Sequence, residues 1–213
     1  MLQLIYQGQW PLFLLITTAL IISLTFHEFG HAATAKLFGD DTAQRQGRLT
    51  LNPIAHIDPM GLLMVVLIGI GYAKPVPTNP RNYSSRWASM LVAAAGPGMN
   101  LLLACVSINL YLIGLAADWS LFAGDGPKIF FTYLALINLL LMLFNLIPLG
   151  PLDGHYIMPY LLPASAAKKY EYYNMRYGSY LFLGLVVLSF LGVPIFSYLQ
   201  AAGKAILPLI IFV

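Results

Sequence analysis

Long apolar blocks alternate along this chain with short polar punctuation, and the punctuation predicts where the helices lie. The first block runs from Pro11 to Phe38, opened by a first-turn proline and closed by Gly39. At 1.5 Å per residue it is roughly 40 Å long, more than enough to cross a bilayer. The second block runs from Trp87 to Ala116. The third, Lys128 to Ile147, follows the start signal Asp125, Gly126, Pro127 and stops at Pro148. Two further apolar blocks, Tyr177 to Val193 and Pro194 to Val213, supply one or two additional spans.

The stretch 45–80, between the first two long blocks, has a different pattern. Gly47 to Leu51 ("GRLTL") alternates like a strand, and Tyr72 to Pro80 is broken by prolines and reads as extended. Gly61 to Gly71 is apolar but too short to cross a bilayer alone. A small membrane-associated β element with a dipping segment is expected here. Non-helical backbone at that depth must be buried in protein or line a cavity. The expected class is an all-α polytopic membrane protein, with a three-helix core inside residues 1–165 and C-terminal membrane helices in 166–213. The first block reads as a lasting span rather than a cleaved leader, because its start lacks basic residues and its apolar run is too long.

Composition agrees with this class. Of the 213 residues 59% are hydrophobic and only 9% charged, against roughly 25% charged in a soluble domain, so polar atoms are too few to cover a water-facing surface. The net charge of +3 is small and scattered, which excludes a nucleic-acid-binding surface. The single cysteine, Cys105, excludes an intrachain disulfide and reads as a small buried hydrophobe.

The basic residues predict orientation. Lys36, Arg45, Arg48, Lys74, Arg81 and Arg86 lie between the first two blocks, and Lys168, Lys169 and Arg176 follow the third. The connection between the second and third blocks has only Lys128 at its edge. The positive-inside rule then puts both basic segments in the cytoplasm, and a compact chain of this kind is expected in the plasma membrane of a prokaryote.

One feature conflicts with a purely lipid-facing helix. "FHEFGH" (Phe26 to His31) places His27, Glu28 and His31 inside the first apolar block. Ionisable groups at membrane depth are costly, so they point to function. Four residues apart, His27 and His31 share one helix face and can reach one metal ion, with Glu28 beside them as a general base. Neutral imidazoles suit Zn²⁺, which acidifies bound water. The alternative is a hydrogen-bonded pair of buried histidines with an incidental glutamate. A catalytic zinc site needs a third protein ligand, and His56, Asp58, Asp153 and His155 are the candidates. Asp153 follows the third block at the depth of His27 and His31, although an Asp before Gly154 is also a common turn residue.

Four motifs in order extend the pattern: "HEFGH", "NPIAHIDPMG" (Asn52 to Gly61), "AGPGMN" (Ala95 to Asn100) and "NLIPLGPLDG" (Asn145 to Gly154). Together they resemble the site-2 protease family of intramembrane zinc metalloproteases, over roughly residues 11 to 160. The resemblance implies one zinc per chain held by His27, His31 and Asp153, with Glu28 as catalytic acid/base. It also implies that Asn145 lies near the scissile peptide of a transmembrane protein substrate, and that Gly96 and Asn100 stand in a G-x-x-x-N pattern that lets core helices approach closely. His56 is a further substrate-path candidate. The resemblance is to the compact members, without a PDZ or nucleotide-sensing domain.

A transmembrane substrate has its carbonyls bonded internally, so it must unwind before hydrolysis, and the strand-like segments are expected to offer it an edge. Two other classes have features of their own. A zinc carrier or non-proteolytic zinc-binding membrane protein has no use for Glu28. Another membrane metallopeptidase would share H-E-x-x-H without the other three motifs. The aromatic and basic stretch Lys168 to Tyr177 reads as an interfacial anchor.

Overall fold

A computed structural model describes residues 1–68 and 71–213. The predicted blocks appear as helices, displaced by only a few residues. A short α1 (Leu2–Tyr6) precedes α2 (Trp10–Leu37), with Pro11 in its first turn. α5 (Ala88–Ala116) and α6 (Asp125–Asn145) are the other two helices long and apolar enough to cross a membrane. α6 ends two residues before the expected Ile147, because Pro148 disfavours helical backbone at the residue preceding it. α2, α5 and α6 pack on one another as the three-helix core. The apolar side chains of Leu101, Leu102, Val106, Leu110 and Ile113 on α5 stay exposed, as suits a face turned to lipid.

The C-terminal region departs from the expected blocks. α8 (Ala164–Phe190) begins thirteen residues before the predicted start at Tyr177. It then meets α9 (Ile195–Ile206) and its 3₁₀ continuation at a 90° bend after Gly192 and Pro194. The described residues therefore hold three candidate spans, or four if this bent pair counts as one. α9 and the tail fold back on α6, where Ile206, Leu207, Ile210 and Ile211 pack against the core of Ala104, Ile108, Ala135, Leu139 and Met142.

The expected β element is absent among the described residues, all of whose regular structure is helical. Residues 42–68 form α3 (Thr42–Arg45), a 3₁₀ turn at Pro53–Ala55, and α4 (Pro59–Ile68), whose first turn is capped by Asp58 accepting from the amides of Met60 and Gly61. Residues 69 and 70 of the predicted dipping segment lie outside the described residues. Tyr72 to Asn79 has neither helix nor strand, and Pro80, the last residue of the expected extended stretch, instead opens a 3₁₀ turn (Pro80–Asn82). Pro75 and Pro77 have no N–H to give to a ladder, and the carbonyls of Lys74 and Pro75 are taken by the Arg48 guanidinium at 2.5 and 3.1 Å.

Asp40, just past the Gly39 terminator of α2, ties this region together. Its buried carboxylate accepts from the Thr42 amide and hydroxyl, the Asn79 amide and the Asn82 side chain. Burial alone would raise its pKa, but these donors outweigh burial and hold it below 3.8. A depressed carboxylate stabilises the fold above its ordinary pKa, and that contribution fades as pH falls through the depressed value. Asp40→Asn presents an NH₂ where a donor must be accepted and should cost about 1.5–3 kcal/mol at neutral pH. Thermal melts in detergent should show a gap between wild type and variant at pH 7 that narrows below about pH 4. A gap independent of pH would contradict the charged role of Asp40.

Candidate metal centre

The site begins where α2 and α5 come closest. A Cβ on Gly30 would lie 2.6 Å from Met99 Cγ and 2.7 Å from the Ala95 carbonyl oxygen, so this position of α2 needs glycine for close approach. Opposite it, the space that a side chain on Gly96 would need is filled by the rings of His31 and His27, whose Cε1 atoms would be 2.5 and 2.7 Å away. The glycine of the predicted G-x-x-x-N pattern thus makes room for the two imidazoles as well as for the helix. The rings meet edge to face with centroids 4.7 Å apart, and their Nε2 atoms are 3.1 Å from each other.

Asp153 reaches the same point from the other end of the core. It is the first residue of α7 (Asp153–Leu161), where a carboxylate is favoured by the unpaired amides and the helix dipole. The loop from α6 turns at Gly150, whose φ of +57° lies in the left-handed region and whose missing Cβ allows approach to the Gly178 carbonyl on α8. Asp153 Oδ2 lies 3.2 Å from His27 Nε2 and Oδ1 lies 3.4 Å from His31 Nε2. The three residues form a cluster whose ligand-type atoms all lie within 4.8 Å of one another.

The protons around this cluster show what it is suited to hold. His31 Nδ1 is 2.7 Å from the Val92 carbonyl, which only accepts, so that nitrogen carries the hydrogen and Nε2 turns a lone pair inward. His27 Nδ1 faces Asn100 Oδ1 at 2.6 Å in the same manner. Asp153 Oδ2 is buried and receives no hydrogen bond. With both rings neutral, lone-pair-bearing atoms converge here, an arrangement that a shared cation stabilises. Two imidazoles and one carboxylate match the donor set of a hydrolytic zinc ion, with a position left open. The residues present fit the metal.

Glu28 is buried beside the pair, and its Oε2 accepts the Val76 amide at 2.9 Å. The Val76 amide is held in place by an anchor that the sequence did not reveal. Arg48, counted above among the basic residues that predict orientation, is only 6% exposed. Its guanidinium grips the Lys74 and Pro75 carbonyls, and the Lys74 amide donates to the His56 carbonyl at 2.8 Å. His56 is also buried. Its Nε2 donates to the Thr50 carbonyl at 2.8 Å, leaving Nδ1 to face Arg48 Nη2 at 3.5 Å. His56 thus braces its own loop, next to a small cavity it lines with Thr25, Asp58 and Tyr72.

The rivals of Asp153 are engaged elsewhere. Asp58 caps α4. His155 Nδ1 lies 2.6 Å from the Asn174 side-chain nitrogen, whose orientation is set because Asn174 Oδ1 accepts the Gly150 amide. Burial lowers the pKa of His155, the Glu171 charge opposing, so the ring stays neutral and accepts from α8. Asn145 closes α6 with its side-chain nitrogen on the Leu141 carbonyl, at the start of the loop that delivers Asp153. The aromatic stretch on α8 is exposed at Tyr172 and Tyr173, as an interfacial anchor would be, yet buries Asn174 as the brace of the Asp153 loop.

Zinc analysis of purified protein should find the metal lost in a His27→Ala/His31→Ala double variant and sharply depleted in Asp153→Ala. Asp58→Ala and His155→Ala should keep the wild-type content. An empty His155→Ala protein beside a loaded Asp153→Ala protein would exchange the two residues' roles.

Comparison with known proteins places this geometry in a lineage. The family model described as "Peptidase family M50" matches residues 15–117 and 111–188. A Bacillus subtilis (strain 168) protein named "Putative zinc metalloprotease YwhC" is 40% identical over 94% of this chain and 93% of its own length. The Mycolicibacterium smegmatis protein named "Putative zinc metalloprotease Rip2" is 34% identical over 71% of this chain, which spans 59% of that relative. Its Mycobacterium tuberculosis (strain H37Rv) namesake is 33% identical, with the same coverage on both sides. No solved structure matches the chain. With three membrane-length helices and these relatives, this multi-pass membrane protein belongs to peptidase family M50, the site-2 protease family of zinc metalloproteases.

Proposed function

We propose that this chain is an intramembrane zinc endopeptidase that hydrolyses a peptide bond in or near a transmembrane segment of a membrane-protein substrate, as in regulated intramembrane proteolysis. The observation that carries the reading is the convergence of His27, His31 and Asp153 on one point with Glu28 alongside, within a core of helices long and apolar enough to cross a membrane. Those three residues would hold one zinc per chain. Bound there, zinc supplies Lewis acidity that polarises the scissile carbonyl and acidifies water.

The chain's own groups do the rest. Glu28 takes the proton from the attacking water on one carboxylate oxygen and returns it to the leaving amine, while the Val76 amide on the other oxygen keeps the carboxylate aimed. Asn145, at the mouth of the Asp153 loop, holds the substrate backbone near the scissile bond, and the loop around His56 flanks its path. The substrate segment must arrive unwound, because a helical carbonyl is already bonded. The Tyr72–Asn79 segment beside Glu28 flanks that path without offering a free strand edge, because the Lys74 and Pro75 carbonyls and the Lys74, Val76 and Asn79 amides are already engaged. The site faces the cytoplasmic side of a prokaryotic plasma membrane, as the basic residues of 36–86 and 168–176 favour.

Glu28→Gln keeps the shape and removes the base. Cleavage of a model transmembrane substrate in reconstituted vesicles should fall by about 10²–10⁴-fold, with zinc content unchanged. A variant cutting at the wild-type rate would overturn the role of Glu28. Orientation has its own test: Asp41→Cys and Lys168→Cys, each in a Cys105→Ser background, should both resist a membrane-impermeant thiol reagent in intact cells and react in inverted vesicles. Opposite labelling of the two positions would break the shared-face assignment.

A further inference from the structure

The geometry points to Asn138, on α6, as a positioning residue that fixes the proton of His27 through Asn100, so that Nε2 is left bare for the metal. The inference rests on the metal centre proposed above. Asn138 touches none of the three converging residues, and no sequence motif singles it out.

The direction of the chain of hydrogen bonds follows from its ends. The Leu134 carbonyl can only accept, and the amide group of Asn138 within 2.8 Å of it must be the NH₂. The same nitrogen donates to Ser23 Oγ at 2.8 Å, and the Ser23 hydroxyl hydrogen goes to the Ala19 carbonyl at 2.7 Å. With its nitrogen committed, Asn138 turns Oδ1 toward Asn100, at 2.8 Å from Asn100 Nδ2. Asn100 Nδ2 also donates to the Ser23 carbonyl at 3.2 Å. Asn100 Oδ1 is thereby left facing His27 Nδ1, and as a carbonyl oxygen it can only accept.

Reversing either amide would set donor against donor or acceptor against acceptor along the chain. Ser23, Asn100 and Asn138 are all 0% exposed, so solvent cannot repair a mismatch. The three core helices thus share one directional network, with Ser23 on α2, Asn100 on α5 and Asn138 on α6. Its end point is the tautomer of His27 with hydrogen on Nδ1. His31 reaches the same tautomer independently through the Val92 carbonyl, which makes it an internal control.

The test uses the full chain in nanodiscs, with ¹⁵N-labelled histidine and metal removed by a chelator. The chain has four histidines, so their ring nitrogens are separable by NMR. Wild-type His27 should show hydrogen on Nδ1 without metal. Asn138→Leu, or Asn138→Ala if the larger side chain prevents folding, should shift His27 toward a mixture of tautomers and leave His31 unchanged. Zinc affinity, read by competition with a chromophoric chelator, should weaken by about 10–100-fold. Asn100→Asp keeps an acceptor on His27 and should retain the tautomer, whereas Asn100→Leu should lose it. A wild-type His27 with hydrogen on Nε2, or an Asn138→Leu protein with unchanged tautomer and zinc affinity, would overturn the assignment. Wild-type protein that shows the expected tautomer but binds no zinc would instead overturn the metal reading and leave the network standing.

Discussion

Everything in the site depends on how closely α2 and α5 approach. Gly30 lets the α5 backbone in, and Gly96 leaves the space into which both imidazoles fold. With a side chain at either position the helices would separate, and His27 would lose Asn100 while His31 would lose the Val92 carbonyl. In lipid the usual hydrophobic drive for helix association is missing, so small residues and buried hydrogen bonds carry the packing. Here the groups that hold the core together are the groups that orient the metal ligands. Stability and site geometry share the same contacts.

The chain between the first two spans shows how irregular backbone is made tolerable at such a depth. Two buried charged groups there are answered from within the protein: Asp40 gathers the Thr42, Asn79 and Asn82 donors, and the Arg48 Nη atoms take two carbonyls of the segment that follows. Burying a guanidinium is costly, and burial lowers the Arg48 pKa while the Glu28 charge opposes that shift. The return is a rigid extended segment with one amide directed at the Glu28 carboxylate.

The C-terminal helices act in a related way. α8 carries an aromatic and basic surface suited to a membrane boundary, yet through Asn174 it sets the loop that delivers Asp153 and occupies the ring of His155. One asparagine therefore both supports the carboxylate ligand and withholds its nearest rival.

The sequence by itself determined the membrane class, the placement of the three long helices and the pairing of His27 with His31. These depend on residues within about four positions of one another: apolar runs, proline and glycine stops, and the i, i+4 geometry of one helix. Spacing alone left His56, Asp58, Asp153 and His155 open as the third ligand and the ordered motifs pointed to Asp153, but only the tertiary structure brings Asp153 onto the pair while engaging the other three elsewhere. It likewise decided that the alternation at 47–51 and the extension at 72–80 do not become a sheet, and that Arg48 is buried as an anchor for the Lys74 and Pro75 carbonyls. The polar network from Asn138 to His27, which joins positions as far apart as Ser23 and Asn138, left no local trace. Periodicity records which face of a helix is buried. The partner of a buried polar group is chosen by helices meeting across the fold, and an isolated asparagine in an apolar run does not announce which way its amide will point.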